Sequence, residues 1–532
     1  MSTMQESDKQ EVAEDTTYTT QRLSEEELKA FLVEFGPQDR DNPKNWSRSK
    51  RWYMTIVASL IAFNAGVASS APAGIASNLA LQFAMSEELV VLCISLFVTG
   101  YCVGPVLWGP LSEQYGRRLV FLSTLPVYTC FQVGCALAHN RTSIIVLRLL
   151  AGIFAAAPFT NSGAIISDMC VIRTSLSNII CMPHLCSWDA STRGKANILF
   201  ANAPFIGSAL GPLVGGYISV SGISWRWTFW VLTIFVSLMR EMFRMNEHIV
   251  QNGLCITLVV TSLPETYPPI LLLRKARQKR VQTGDHRYYA PMETYHLVAF
   301  SDRLKQTLLR PFKMLFQEPM LAATTVYTSF IYGTMYMVFE AFPSVYQGEH
   351  GFNPGTLGLT YLPVVSGCVT ASFVYLLVFN PRYEAAVQRY KPNHVPPEVR
   401  LEMAMWTSPL YAIAFFWFGW TSFPHITVWG PLSGAFFLGF SSILLFLSLI
   451  NYIVDVYLFA AASALAANTV VRSAAAGGLP LFAPRMYSAL DPRWASTILG
   501  CVALLMMPIP FVLYKYGTTL RAKSKFAPTI HR

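Results

Sequence analysis

Charge is what this sequence has least of. Asp, Glu, Lys and Arg make up 13% of its 532 residues, where a soluble domain carries about a quarter. With 53% hydrophobic residues and a mean hydropathy of +0.39, the scarcity excludes an ordinary soluble protein. That much apolar surface cannot be hidden from water, so the bilayer must be its solvent. Acids are rarer than bases, 30 against 40, and the net charge is +10. The bases gather in particular loops, which orients a membrane protein and does not suggest a nucleic-acid partner. The ten cysteines are scattered and mostly apolar in setting (Cys93, Cys102, Cys130, Cys135, Cys501), so no disulfide framework is indicated. Nine dispersed histidines form no cluster with Asp or Ser of the kind a membrane enzyme needs, and no enzyme is expected. Cys181 and Cys186 lack the second ligand pair of a zinc site, so no metal is expected. Residues 1–48 are polar and are not a cleavable signal peptide.

What the chain has instead is hydrophobic runs. A membrane helix needs about 20 apolar residues. Spans are expected near 52–72, 89–109, 119–138, 142–166, 197–219, a disturbed sixth in 228–263, then 320–342, 355–379, 405–422, 426–450, 457–481 and 495–515. The expected fold is an all-α polytopic membrane protein, twelve transmembrane helices in two six-helix bundles. Its parts are a polar tail 1–51, a bundle 52–266, a basic linker 267–318, a second bundle 319–516 and a tail 517–532. Arg274, Lys275, Arg277, Lys279 and Arg280 make the linker strongly basic, which by the positive-inside rule places it and both termini in the cytoplasm.

Between the second and third spans runs Gly109-Pro110-Leu111-Ser112-Glu113-Gln114-Tyr115-Gly116-Arg117-Arg118. A glycine-flanked turn with one carboxylate and two arginines reads as a short hairpin between membrane helices. This stretch resembles the signature loop of the major facilitator superfamily of secondary transporters. Arg148-Leu149-Leu150-Ala151-Gly152 in span four is similar to the R-x-x-x-G motif of proton-coupled members. Gly207-Ser208-Ala209-Leu210-Gly211-Pro212-Leu213-Val214-Gly215-Gly216 in span five resembles a motif typical of exporters. The runs Asp41-Asn42-Pro43-Lys44-Asn45-Trp46-Ser47 and Leu263-Pro264-Glu265-Thr266-Tyr267, the stretch from Ala466 to Ser473, and Lys523-Ser524-Lys525-Phe526 look like the fungal drug:proton antiporters with twelve spans.

The candidate residues follow from position and cost. Arg148 lies inside span four, where a lone arginine is expensive and should face the cavity with a partner; snorkelling to the interface is the alternative. The resemblance links it to proton movement. Glu340 is the one carboxylate near an end of span seven, a proton-carrying or cation-pairing candidate, or else a solvated interface residue. Asn468 and Arg472, four apart on span eleven, share a helical face and either line the cavity or approach the outer surface. Gly109, Glu113, Gly116, Arg117 and Arg118 form a gating hairpin whose charge pairs lock one access state. Gly207, Gly211, Pro212, Gly215 and Gly216 bring span five close to a neighbour and let it bend. Tyr332, Tyr336, Phe339, Trp417 and Trp420 either line a cavity for flat substrates or face lipid.

Two segments break the pattern. Residues 170–187 interrupt what the resemblance would make continuous. Residues 236–251 bring Arg240, Glu241, Arg244 and Glu247 into span six, each costing ~2.5–3.5 kcal/mol at a helix centre. Without them, 228–235 joins 252–263 into one uncharged helix. Both read as translated introns that keep frame, the alternative being a real loop insertion, with 240–248 expected to bulge from the membrane and 170–187 to form an excursion after span four.

The function expected is proton-coupled export of small amphipathic molecules by alternating access, in the plasma membrane, by a monomer. The proton gradient is the energy source and no cofactor is expected. The alternatives are a specific exporter of polyamine or of an endogenous toxin, or an inactive mis-spliced product. Polyamine would require several cavity carboxylates, and only Glu340 lies clearly within a span.

Overall fold

A computed structural model describes residues 31–36, 39–169, 190–244, 264–294, 300–390, 395–458 and 460–527. Twelve membrane helices run through them. The first half holds α1 (Arg48–Gly74), α2 (Glu87–Tyr115), α3 (Arg117–Ala136), α4 (Arg141–Asp168), α5 (Ala190–Val220) and α6 (Trp227–Arg244). The second holds α7 (Pro319–Phe342), α8 (Pro354–Tyr390), α9 (Leu401–Thr421) and α10 (Trp429–Val456). A last helical run, Ala461–Ala522, is broken at Asp491 (φ 63°, ψ 148°), and its arms 461–490 and 492–522 are α11 and α12. Among the described residues, eight helical runs are long and apolar enough to cross a membrane, the last of them comprising both α11 and α12. Three further helices complete the set: α6, which is short, and the tyrosine- and tryptophan-bearing α7 and α9.

Local chemistry sets the helix starts. Asn42 accepts from the Lys44 amide (3.1 Å) and Ser47 from the Lys50 amide (3.3 Å), so the Asn-Pro-Lys-Asn-Trp-Ser run is a pair of N-caps leading into α1. Glu87 and Glu88 open α2, where the helix dipole favours acids. Gly116, at φ 97°, turns the chain from α2 into α3, a conformation that favours glycine.

Packing repeats between the halves. α1 lies on α5 and α2 on α4; α7 lies on α11 and α8 on α10. The seam between halves pairs α2 with α11 and α5 with α8, the same relation seen from either side. α5 meets α1 over a stripe of small residues: a methyl on Gly211 would overlap the Ser70 hydroxyl and sit 2.8 Å from the Ala71 amide. Gly66 of α1 answers it, a methyl there falling 2.6 Å from the Pro204 carbonyl. Helices this close gain dispersion contacts that lipid cannot match.

The linker carries the helices Pro268–Thr283, Pro291–Thr294 and Phe300–Gln317. The described end of the N-terminal tail is bound to it. The Val33 amide donates to the Tyr289 carbonyl (2.9 Å) and the Tyr289 amide to the Phe31 carbonyl (3.1 Å), while Lys275 pairs with Asp39 and Asp41.

One expectation is corrected in α6: that helix passes Val236 without a break and runs to Arg244, so residues 240–244 continue the helix and do not loop out of it. The apolar face of α6 extends through Val236, which is buried and helps line a cleft shared with α1, α3 and α4. Residues 245–263 and 170–189, which hold the rest of both inserts, lie outside the described residues.

Candidate functional site

The hairpin between α2 and α3 is built around a carboxylate from elsewhere in the chain. Glu265, just after the sixth span, accepts from the backbone amides of Arg117 (3.0 Å) and Arg118 (3.2 Å), and from those of Thr266 and Tyr267 (both 3.0 Å). It thereby caps the positive end of α3. A methyl on Gly116 would strike this carboxylate, so Gly116 serves both the turn and the cap. The Arg117 side chain turns inward: its Nε reaches Asp168 at the end of α4 (3.4 Å), one Nη meets Ser112, and its guanidinium lies 5.0 Å from the Tyr267 ring centre. Glu113 forms no ion pair among the described residues, and Gly109 faces open space.

The second half repeats the device. Arg400, the residue before α9, pairs with Asp455 near the end of α10 (2.8 Å) and stacks on Tyr383 at 3.3 Å from its centre. Arg117 and Asp168 hold the corresponding places on α3 and α4. Glu398 binds Arg521 of α12 through both oxygens (3.1 and 2.9 Å). Glu265 entered the sequence reading only within a motif, and Arg400, Asp455, Glu398 and Arg521 were not among its candidate site residues. Their one signal was a charge at the first or last residue of an apolar run.

Arg148 is completely buried in α4. Its Nε donates to the Cys93 carbonyl of α2 (3.0 Å), one Nη to the Ser69 carbonyl of α1 (3.1 Å), and the cation lies 4.1 Å from the Phe97 ring centre. The other Nη has no partner, and no carboxylate pairs with it among the described residues. The snorkelling alternative is therefore out. Ser69 has a second contact. Its hydroxyl donates to the Gly66 carbonyl (2.7 Å) and so accepts from the Tyr336 hydroxyl of α7 (2.9 Å). One residue of α1 thus touches both the buried arginine and the opposite half.

On α11, Asn468 is buried and donates to Thr325 (3.3 Å) and Thr328 (2.6 Å) of α7, which makes it a packing residue between those helices. Arg472, one turn further, lies between the rings of Tyr332 (5.2 Å) and Phe446 (5.0 Å). Glu340 is partly buried at the far end of α7, on the Tyr336 face of the helix. Among the described residues it forms no ion pair, and it is not joined to Arg148 or Arg472.

Other contacts cross the seam. Asn202 of α5 meets Ser372 of α8, and Phe205 of α5 lies 6.2 Å from Tyr332 and 5.1 Å from Phe446, centre to centre. Gly216 packs against Pro354 of α8. At the far face, Glu88 of α2 pairs with Arg485 of α11 at 2.9 Å, both exposed. Of the candidate aromatics, Tyr332, Tyr336 and Phe339 are buried, whereas Trp417 and Trp420 are exposed, on the side a bilayer would cover.

Comparison with known proteins agrees with this arrangement. The family described as Major Facilitator Superfamily matches residues 58–479. The chain is 37% identical over 502 residues to the "MFS-type efflux pump MFS2" of Trichophyton rubrum, covering 94% of this chain and 78% of that one. It is 35% identical over 501 residues to the multidrug transporter FLU1 of Candida albicans, covering 93% and 76%. Among solved structures, the xylose transporter XylE from E. coli shares the fold at a TM-score of 0.56 and 17% identity, over 88% of this chain and 98% of that one.

Proposed function

Because the chain belongs to the Major Facilitator Superfamily, we propose that it exports small amphipathic molecules against a counterflow of protons, its halves alternating access to the seam between them. Pumps and multidrug transporters among its relatives support the export direction. The linker, both termini and the α2–α3 hairpin then lie in the cytoplasm, the membrane is the plasma membrane, and a monomer is the working unit.

The observation that carries this reading is the path through Ser69. Arginine does not give up its proton, so Arg148 is no proton carrier. It is a fixed charge whose hold on the α1 and α2 carbonyls sets how Ser69 presents its hydroxyl to Tyr336. Glu340, one turn from Tyr336 on the same face of α7, is the carboxyl that takes the proton. Protonation removes its charge and with it the cost of passing an ion through an apolar seam. The event on α7 is then felt at α1 through one hydrogen bond.

The test is efflux from proteoliposomes under an imposed pH gradient. Arg148→Ala should lose more than about tenfold in gradient-driven rate, since one hydrogen bond to a charged group is worth ~1.5–3 kcal/mol. Arg148→Lys should recover little of it, because a point charge cannot serve both carbonyls. Glu340→Gln should keep substrate exchange and lose the response to pH. Full gradient-driven transport by Arg148→Ala would sink the role given to it.

A further inference from the structure

The seam holds a cation that no carboxylate balances among the described residues. Arg472 keeps only 7% of its surface open, its Nε is buried without a hydrogen-bond partner, and it forms no ion pair among the described residues. Among the described residues its charge is met by ring faces, Tyr332 of α7 and Phe446 of α10. Phe205 comes from the other half to touch both rings. Tyr336 extends the ring surface along α7, stacked edge-on against Tyr332 at 5.4 Å and against Phe339 at the same distance.

An unpaired guanidinium in a place of low dielectric is unfavourable until an anion reaches it. Nor do the described residues provide that anion: Asn468, one turn before, is committed to Thr325 and Thr328, and Glu340 stands two turns beyond Tyr332 towards the far end of α7. Arg148, a second buried cation that no carboxylate pairs with among the described residues, repels a cationic visitor as well. The rings offer flat apolar surface, and the guanidinium offers a planar fork of donors that fits a carboxylate.

We propose that Arg472, with Tyr332, Phe446 and Phe205, forms a subsite for the carboxylate of a flat aromatic acid, so that the substrates are organic anions. The inference rests on the exporter reading and narrows its substrate class. Alternating access would uncover the subsite as Phe205 withdraws with α5, and the anion would supply Arg472 with its missing partner.

Three probes that share one ring system and differ in charge decide it: 1-naphthoate, 1-naphthamide and 1-naphthylmethylammonium. Binding is measured on the full chain in phosphatidylcholine nanodiscs, where no anionic lipid competes, by displacement of tritiated 1-naphthoate. Naphthoate should bind about tenfold more tightly than the amide, one charge-assisted contact being worth at least ~1.4 kcal/mol. The ammonium should bind most weakly. Arg472→Gln should erase the preference by weakening naphthoate while leaving the amide within about threefold, and Arg472→Lys should restore part of it. Equal binding of all three by the unaltered chain, or preference for the ammonium, would overturn the proposal without need of a variant. So would an Arg472→Gln protein that still prefers the anion. Transport separates the two readings. Gradient-driven efflux of all three probes alike leaves the exporter standing and defeats the subsite; Arg472-dependent naphthoate binding without any efflux does the reverse.

Discussion

Glu265 and Glu113 are both acids beside the α2–α3 hairpin, yet only one is bonded to it. Glu113 stands within the motif and forms no ion pair among the described residues, whereas Glu265 arrives from after the sixth span and takes four backbone amides. Glu265→Ala would leave the first amides of α3 without their cap, a loss of ~1–2 kcal/mol. We expect the melting temperature in nanodiscs to fall by a few degrees, and Glu265→Gln, which keeps one acceptor oxygen, to fall less. A Glu265→Ala protein that melts with the parent would remove the capping role. The residue scale is where sequence was least informative. A lone base in an apolar run marks Arg148 because the bilayer makes it costly. Nothing local marks Glu265 as the cap of a helix almost 150 positions earlier, since that pairing exists only once α3, α4 and the sixth span have closed on one another.

At the scale of elements, glycines that look equivalent in the motifs differ in what surrounds them. Gly109→Ala meets open space and should be almost neutral, whereas Gly116→Ala faces both a positive φ and the Glu265 carboxylate. Gly211→Ala would force α5 away from α1, and overpacking of this kind costs ~1–3 kcal/mol. Surface expression of the three variants should rank Gly109→Ala first, with the other two clearly lower; a Gly109→Ala protein as poor as Gly116→Ala would contradict this reading. α6 poses a different question. Residues 236–244 continue its helix, and in their absence the uncharged stretch from Asn252 would fill the same turns. We propose that 170–187 and 236–251 are retained introns, and expect deletion of 236–251 to raise surface expression. Mature transcript that carries the codons for 236–251, with a deletion that expresses worse, would reject it. Helix positions were readable because hydropathy and helix length are both set by the bilayer. The continuation of α6 past Val236 was not, since the burial of Val236 against α1, α3 and α4 exists only once those helices have packed.

At the scale of the whole molecule, twelve helices in two related halves were legible from apolar runs and one basic linker, because a bilayer admits few other solutions. Tags at residue 1, within 275–310 and at 532 should all be shielded from outside in intact cells; exposure of the middle one alone would invert the second half. What sequence withheld was the distribution of strong and weak contacts. Among the described residues of the two bundles, the most buried ion pairs lie inside one half or the other: Arg117 with Asp168, Arg400 with Asp455, Arg521 with Glu398. Across the seam the described residues make single hydrogen bonds, ring edges and one exposed pair, Glu88 with Arg485. Exposed pairs are worth only ~0–1 kcal/mol. Each half is therefore stiff within itself, while the joint between them is soft. The seam can come apart without any internal lock being broken, and a bias of a few kcal/mol, the size of one proton or one bound ligand, is enough to decide which side stands open.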